Sequence, residues 1–366
     1  MASKTCTITS FSLFLGLVCA LLSGCLITGN APTQSAPPIN RGAATGAYWP
    51  TQDWHSSTPE EQEMDSGRLK QALDSIQQTR LNLYSLLVIR NGTIVSENYF
   101  HGDTRDTRRE IYSGTKSFTA TLIGIAIDQG LIAGIDRPVL EFFPGRTFEN
   151  MDGRKQAMTL ENLLTMTSGL DWNEGDAAYS QLYRSGDWVK FMLDLPMRAQ
   201  PGAQFNYCSG CTHVLSAILQ QKTGLNASQF ARQNLFAPLG ITGYRWDSDS
   251  QGIPIGGWGL QLTPREMAKL GYLYLHQGKW EDQQIVSAGW VDFATQKHTA
   301  TDGNLGYGFQ WWTYPKYGAY TALGRYGQTI FVVPNLNLVI VTTAQFEGGH
   351  DPIYQLIDNY IIPAVK

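Results

Sequence analysis

The strongest constraint on how this chain folds is the placement of its β-forming segments, which lie at its two ends with a long helical stretch between them. Near the start, Leu83-Tyr-Ser-Leu-Leu-Val-Ile-Arg90 and Thr93-Ile-Val-Ser-Glu-Asn-Tyr-Phe100 are separated only by Asn91-Gly92. Asn-Gly suits a two-residue turn in which both residues take positive φ, so the pair reads as a hairpin. Near the end, Gly306 to Trp312, Tyr320 to Gly324, Thr329 to Val333 and Leu338 to Thr343 have the same β character, with Pro334-Asn-Leu-Asn337 as the last turn. Between these runs helical spacing dominates, in Leu160 to Met166, His213 to Thr223, Ala227 to Leu235 and Pro264 to Leu275. Strands so far apart share one sheet only if the chain's ends come together around an inserted helical region.

Composition supports a large core. Hydrophobic residues make up 43% of the 366 and charged residues 16%, which is a globular balance. A formal net charge of -4, with no long run of Lys and Arg, argues against a nucleic-acid or anionic-membrane partner, both of which would need a basic face. Residues 26 to about 60 are rich in Pro, Ala, Thr, Ser, Asn and Gly, which reads as a tether. Folded structure is expected from near Met64, where Leu69, Leu73 and Ile76 recur at helical spacing.

The N-terminus carries an address. Lys4 precedes an apolar run, Phe11 to Leu22, that is too short to span a bilayer and reads as an export signal. It ends in Leu22-Ser23-Gly24-Cys25, which resembles the lipobox of bacterial lipoproteins. The resemblance implies a signal peptide over 1–24, lipidation of Cys25 and a flexible tether over 25–60. Because Leu26 rather than Asp follows, it also implies an outer-membrane lipoprotein facing the periplasm. A soluble secreted protein with a Cys near its cleavage site is the plainer alternative. On the lipoprotein reading only Cys208 and Cys211 remain, spaced C-x-x-C. In an oxidising compartment a local disulfide suits them better than a zinc site, which would want more ligands than nearby His213 supplies.

One short motif carries chemistry. Ser113-Gly114-Thr115-Lys116 opens a helical run that extends to Gln129, with Phe118, Leu122, Ile125 and Ala126 on one side and Gly130 as its stop. Residues i and i+3 share a helical face, so the hydroxyl and the amine can meet. A crowded Lys loses its proton and can then take one from Ser. The helix N-terminus adds N–H groups for an oxyanion. Such a motif occurs by chance about once in a chain of this length, so alone it is equally an N-cap Ser and a solvated Lys. No G-x-S-x-G, H-E-x-x-H, Walker or G-x-G-x-x-G motif is present, and neither a metal nor an organic cofactor is expected.

The surroundings add a resemblance. Tyr112-Ser-Gly-Thr-Lys-Ser-Phe118, Asp128-Gln-Gly-Leu131, Asp136-Arg-Pro-Val139 and Thr159 to Leu170 run in the order found in the penicillin-binding-protein and class C β-lactamase superfamily. So do Pro201-Gly202, Phe205-Asn-Tyr207, Pro238-Leu-Gly240, Gly256-Gly-Trp-Gly259 and Gly324-Arg-Tyr-Gly-Gln328. The resemblance implies an α/β fold of the α+β type: a mostly antiparallel sheet built from both termini, flanked by helices, with the site beside a helical inserted region. The hydrolase domain is expected over 61–366, its sheet region at about 61–115 and 300–366 and its helical region at about 116–299.

The resemblance also implies Ser113 as nucleophile, with Lys116 and Tyr207 as general base and acid. The backbone N–H groups of Ser113 and Gln328 would form an oxyanion hole, with Ser209, Arg325 and Gly327 binding substrate. Two departures stand out. Ser209 replaces the Asn of the Y-x-N motif, and Arg325-Tyr326-Gly327 stands where β-lactamases have Lys-Thr-Gly. These look more like esterase and amidase members, including those similar to 6-aminohexanoate-dimer hydrolase. The expected substrate is a small or peptide-like ester or amide. The rivals are a β-lactamase or D-alanyl-D-alanine carboxypeptidase, and a non-catalytic envelope lipoprotein. Trp172, Trp258, Trp311 and Trp312 suit either a pocket wall or the core.

Overall fold

The computed structural model describes residues 48–301 and 303–366. The hairpin forms where Asn-Gly indicates it: β1 (Leu83–Arg90) and β2 (Thr93–Tyr99) pair antiparallel, and Asn91 and Gly92 take φ of 51° and 79°. From the other end come β3 (Thr299–Ala300), β4 (Gly306–Tyr307), β5 (Trp312–Tyr314), β6 (Ala319–Gly324), β7 (Gln328–Val333) and β8 (Leu338–Ala344). Among the described residues these eight form one antiparallel sheet, ordered β2-β1-β8-β7-β6-β5-β4-β3. The two ends of the chain meet at β1 and β8, where Leu87 pairs with Val341.

The central strands read as unbroken apolar runs because both faces of the sheet are covered. Leu87, Ile89, Ile330, Val332, Val339 and Val341 face one core, while Leu86, Val88, Phe331, Val333, Leu338 and Ile340 alternate onto the other. The helices that matter here are α1 (Ser66–Thr79), α2 (Thr115–Asp128), α3 (Asp176–Arg184), α4 (Ser209–Thr223), α5 (Pro264–Leu275) and α6 (Asp351–Leu356). Helices α1 and α6 pack in the smaller core, and α2, α4 and α5 in the larger. Gly271 of α5 lets that helix lie close on the sheet, since a Cβ there would come within 2.7 Å of Val339. Helix α2 is sheathed all round, with every residue from Thr115 to Ala126 buried. Gly130, at φ 70°, closes it as Leu131 N–H reaches Ala126 O at 2.9 Å.

Three expectations change. The run Gly306 to Trp312 is two strands, because Gln310 takes φ 60° and Gly308 N–H closes a turn onto Trp311 O at 2.8 Å. The Gln310 amide is held from the helical region, donating to the carbonyls of Leu163 and Leu164 and accepting from Thr212 Oγ1. The closing helix begins earlier than Tyr354, at Asp351, and continues past α6 as a wider turn over Ile357–Ile361.

Residues 48–60 are not a tether. Trp54 is buried, Ile94 N–H donates to His55 O at 2.9 Å, and Trp49 packs against Tyr272, His276 and Trp280. Isolated aromatics without periodicity carry no pattern, so this strap is invisible to helical or strand spacing. The signal segment, Cys25 and the rest of the expected tether lie outside the described residues. Among the described residues no helix is long and apolar enough to cross a membrane.

Candidate active site

Ser113 does not lie within the helix itself. It occupies a tight 3-10 turn, Tyr112–Gly114, that feeds α2, and the preceding Tyr112 has φ 46°. Positive φ at a non-glycine residue is backbone strain, and here it turns the Ser113 side chain into a cleft. Lys116, on the first turn of α2, is 1% exposed. Its Nζ lies 2.9 Å from Ser113 Oγ, 2.8 Å from Ser209 Oγ and 2.9 Å from Gly257 O. Burial pulls its ammonium down to about 8, and the Glu174 carboxylate partly opposes this.

Two glycines bring the Gly257 carbonyl there. A Cβ at Gly256 would meet Thr212 O at 2.2 Å and one at Gly257 would meet Ser209 O at 2.8 Å, so the loop lies directly on α4. Thr119 Oγ1 of α2 donates to Gly256 O at 2.8 Å and ties the same loop to the other helix.

Tyr207 stands just before α4, with its ring centroid 4.7 Å from Lys116 Nζ and stacked on Trp312 at 5.8 Å. Burial pushes its phenol well above the usual value, and its hydrogen bond with Ser113 opposes that. Ser209, the first residue of α4, is buried beneath the cleft and touches Lys116. Cys208 and Cys211 form a disulfide at this helix start, and Cys211 N–H donates to Cys208 Sγ. Among the described residues no group of three or more His, Cys, Asp or Glu side chains is placed to hold a metal ion.

Ser113 sits where two cavities of about 560 Å³ each meet, sharing Ser113, Asp176, Tyr179 and Arg325. The first is walled by Glu174, Tyr207, Trp312, Leu323 and His350. The second is walled by Glu110, Tyr112, Tyr183, Asp247 and Trp258. Of the four tryptophans, Trp312 and Trp258 therefore line the cleft, whereas Trp172 and Trp311 are core.

Arg325, exposed at the end of β6, borders both cavities. Gln328 and Gly327 border neither. The Gln328 side chain is spent on the carbonyls of Arg325 and Ala344 and on Ala344 N–H. Gly327 turns toward Phe346, which a Cβ there would approach to 2.5 Å. The part of this segment that reaches the nucleophile is Gly324-Arg325. A Cβ on Gly324 would come within 2.1 Å of Ile111 O, two residues before Ser113.

Glu174 is the site residue that motif reading missed. It accepts from Trp172 Nε1 at 2.5 Å and Ser209 N–H at 3.0 Å, and from the hydroxyls of Tyr179 and Ser209. Its only sequence signal is a lone acidic residue after an aromatic, too common to single out.

Residues 69–357 match the family model described as Beta-lactamase. The 6-aminohexanoate-dimer hydrolase of Paenarthrobacter ureafaciens is 26% identical over 280 residues, spanning 70% of this chain and 71% of that protein. Among solved structures, a hydrolase with promiscuous acyltransferase activity superposes with a TM-score of 0.69 at 19% identity, over 82% of this chain and 98% of the other. A family VIII carboxylesterase does so with a TM-score of 0.66 at 17% identity, over 81% and 96%. These structural neighbours share the fold. The match over 69–357, in a chain whose sheet, helices and Ser-Lys pair agree with it, means that this protein belongs to the beta-lactamase family of serine hydrolases.

Proposed function

We propose that the protein cleaves an ester or amide through an acyl-enzyme on Ser113, with Lys116 and Tyr207 exchanging the protons. The observation that carries this reading is the Lys116 amine, buried and 2.9 Å from Ser113 Oγ at the junction of two cavities. A nucleophile there is activated by a neighbour that loses its proton easily, and has room on one side for an acyl group and on the other for a leaving group. The Ser113 N–H and the N–H at the end of β6, at Arg325, are the donors we assign to the oxyanion. This differs from the Gln328 expectation because Arg325 borders the cleft and Gln328 does not. Each such donor is worth about 10²–10³ in rate. Arg325 also offers a planar fork to a substrate carboxylate.

The 6-aminohexanoate dimer in the name of the Paenarthrobacter relative and the ester in that of the carboxylesterase are both small enough for a cleft with aromatic walls. We further propose that the protein is exported and held at the outer membrane by lipid on Cys25. The test of function is hydrolysis of a short-chain p-nitrophenyl ester by wild type and Ser113→Ala. A wild type that turns over and a variant slower by several orders of magnitude is expected. Equal activity of the two would point to another nucleophile. Complete inertness of both would favour a binding protein, and rapid acylation by penicillin a β-lactam-directed enzyme.

A further inference from the structure

The Ser209 hydroxyl lies between the Lys116 amine and the Glu174 carboxylate and is hydrogen-bonded to both. The Glu174 carboxylate accepts from Ser209 Oγ and Tyr179 Oη on one oxygen, and from Ser209 N–H and Trp172 Nε1 on the other. A carboxylate has nothing to donate, so the Ser209 hydroxyl must donate to it. Toward Lys116 Nζ, at 2.8 Å, Ser209 is then an acceptor only. The Gly257 carbonyl, at 2.9 Å, is likewise an acceptor only. A neutral amine has two N–H groups and one lone pair. With both N–H groups engaged by Ser209 and Gly257, the lone pair is left for the Ser113 hydroxyl at 2.9 Å.

We propose that Glu174 is a positioning residue: by fixing the direction of the Ser209 hydroxyl it aims the Lys116 lone pair at Ser113, and so makes Lys116 rather than Tyr207 the base of acylation. This rests on the acyl-enzyme reading above. In that step the Ser113 proton passes to Lys116 as the Oγ–C bond forms and the carbonyl electron pair moves onto its oxygen. The three N–H groups of the ammonium then meet the oxygens of Ser113, Ser209 and Gly257. When the oxyanion collapses, the C–N or C–O bond breaks and Tyr207 gives its proton to the leaving group. Lys116 returns one to Tyr207, so both groups end as they began. The Glu174–Ser209 pair thus occupies the place left by the absent Asn of the Y-x-N motif.

The titratable groups facing Lys116 are Glu174, from the loop before α3, and Tyr207, from the segment before α4. Tyr179 of α3 and Tyr307 of β4 face Glu174, and burial keeps both phenols protonated.

The test compares Glu174→Gln, Ser209→Ala and the double variant in the full chain, reading kcat/KM for the ester against pH and the melting temperature of each. A Gln amide can offer N–H to Ser209, whose hydroxyl is then free to turn and occupy the Lys116 lone pair. The expected result is a plateau lower by about 10²-fold in either single variant, a loss typical of a misaligned catalytic group. The double variant should lose no more than Ser209→Ala, because Glu174 acts through Ser209. Loss of the carboxylate should also move the ascending limb to lower pH in Glu174→Gln and in the double, but not in Ser209→Ala. If Glu174→Gln melts early, Ser209→Ala alone carries the test, and a full wild-type plateau there overturns the proposal. So does a wild-type plateau in a stable Glu174→Gln, or losses that multiply in the double. Should Ser113→Ala retain activity, the acyl-enzyme reading fails and this one with it. If Ser113→Ala is dead while the other variants match wild type, only the positioning role fails.

Discussion

At the scale of single residues, the site is organised around one buried amine. In the proposed mechanism Lys116 must be neutral to take a proton, and burial brings it to about 8. Protonation below that pH blocks the base, so kcat/KM should climb with pH along a limb centred near 8. A pH profile of ester hydrolysis checks this, and a limb centred near 10.5 would mean that the amine is not desolvated in solution. Gly324 makes the complementary point about backbone. Its φ is ordinary, but a Cβ would lie 2.1 Å from Ile111 O, so Gly324→Ala must push β6 away from the Ser113 turn. The expected cost is about 1–3 kcal/mol in urea unfolding, with a drop in kcat larger than that in ester binding if the Ser113 and Arg325 N–H groups act as the proposed oxyanion donors, since they would separate. Gly324, Gly256 and Gly257 all stand within segments quoted for the family resemblance, and what they share is an approach of backbone to backbone that no side chain permits.

At the scale of elements, α2 shows how packing overrides propensity. Ala is ordinarily the better helix residue by about 1 kcal/mol. Gly124, however, faces the Trp290 ring, and a Cβ would sit 2.5 Å from it. Gly124→Ala should therefore destabilise the protein by about 1–3 kcal/mol despite its helical gain, which chemical denaturation would show directly. An unchanged or raised midpoint would mean that Trp290 moves aside freely. The β1–β2 hairpin is the opposite case, legible from Asn91-Gly92 alone because a two-residue turn is a local decision. The turn at Gln310 was not legible. Its partners are Leu163, Leu164 and Thr212, roughly a hundred or more residues away, and nothing in the surrounding β-rich run records them.

At the scale of the whole molecule, the fold closes by joining its ends at β1 and β8 and then strapping residues 48–58 across α5. Trp54 donates its indole N–H to Arg265 O at 3.1 Å, and Lys269 of α5 reaches Thr51 O at 3.2 Å. Trp54→Ala should cost about 3 kcal/mol or more, a loss of several degrees in melting temperature, while leaving kcat nearly unchanged because the strap is not part of the cleft. A melting temperature equal to wild type would show that the strap is dispensable. By itself the sequence determined the sheet built from both termini, the helix behind Ser113, and the three-residue spacing that lets Ser113 and Lys116 meet, whereas Tyr207 was named only through the family resemblance. The first three rest on periodicity, turn chemistry and short-range spacing, which are properties of neighbouring residues. Only the tertiary structure decided that Glu174 and Ser209 flank Lys116, that Arg325 rather than Gln328 borders the cleft, and that residues 48–60 belong to the fold. Each depends on which groups meet after the chain has closed, and a hydrogen bond or a steric gap between distant segments leaves no period in the sequence.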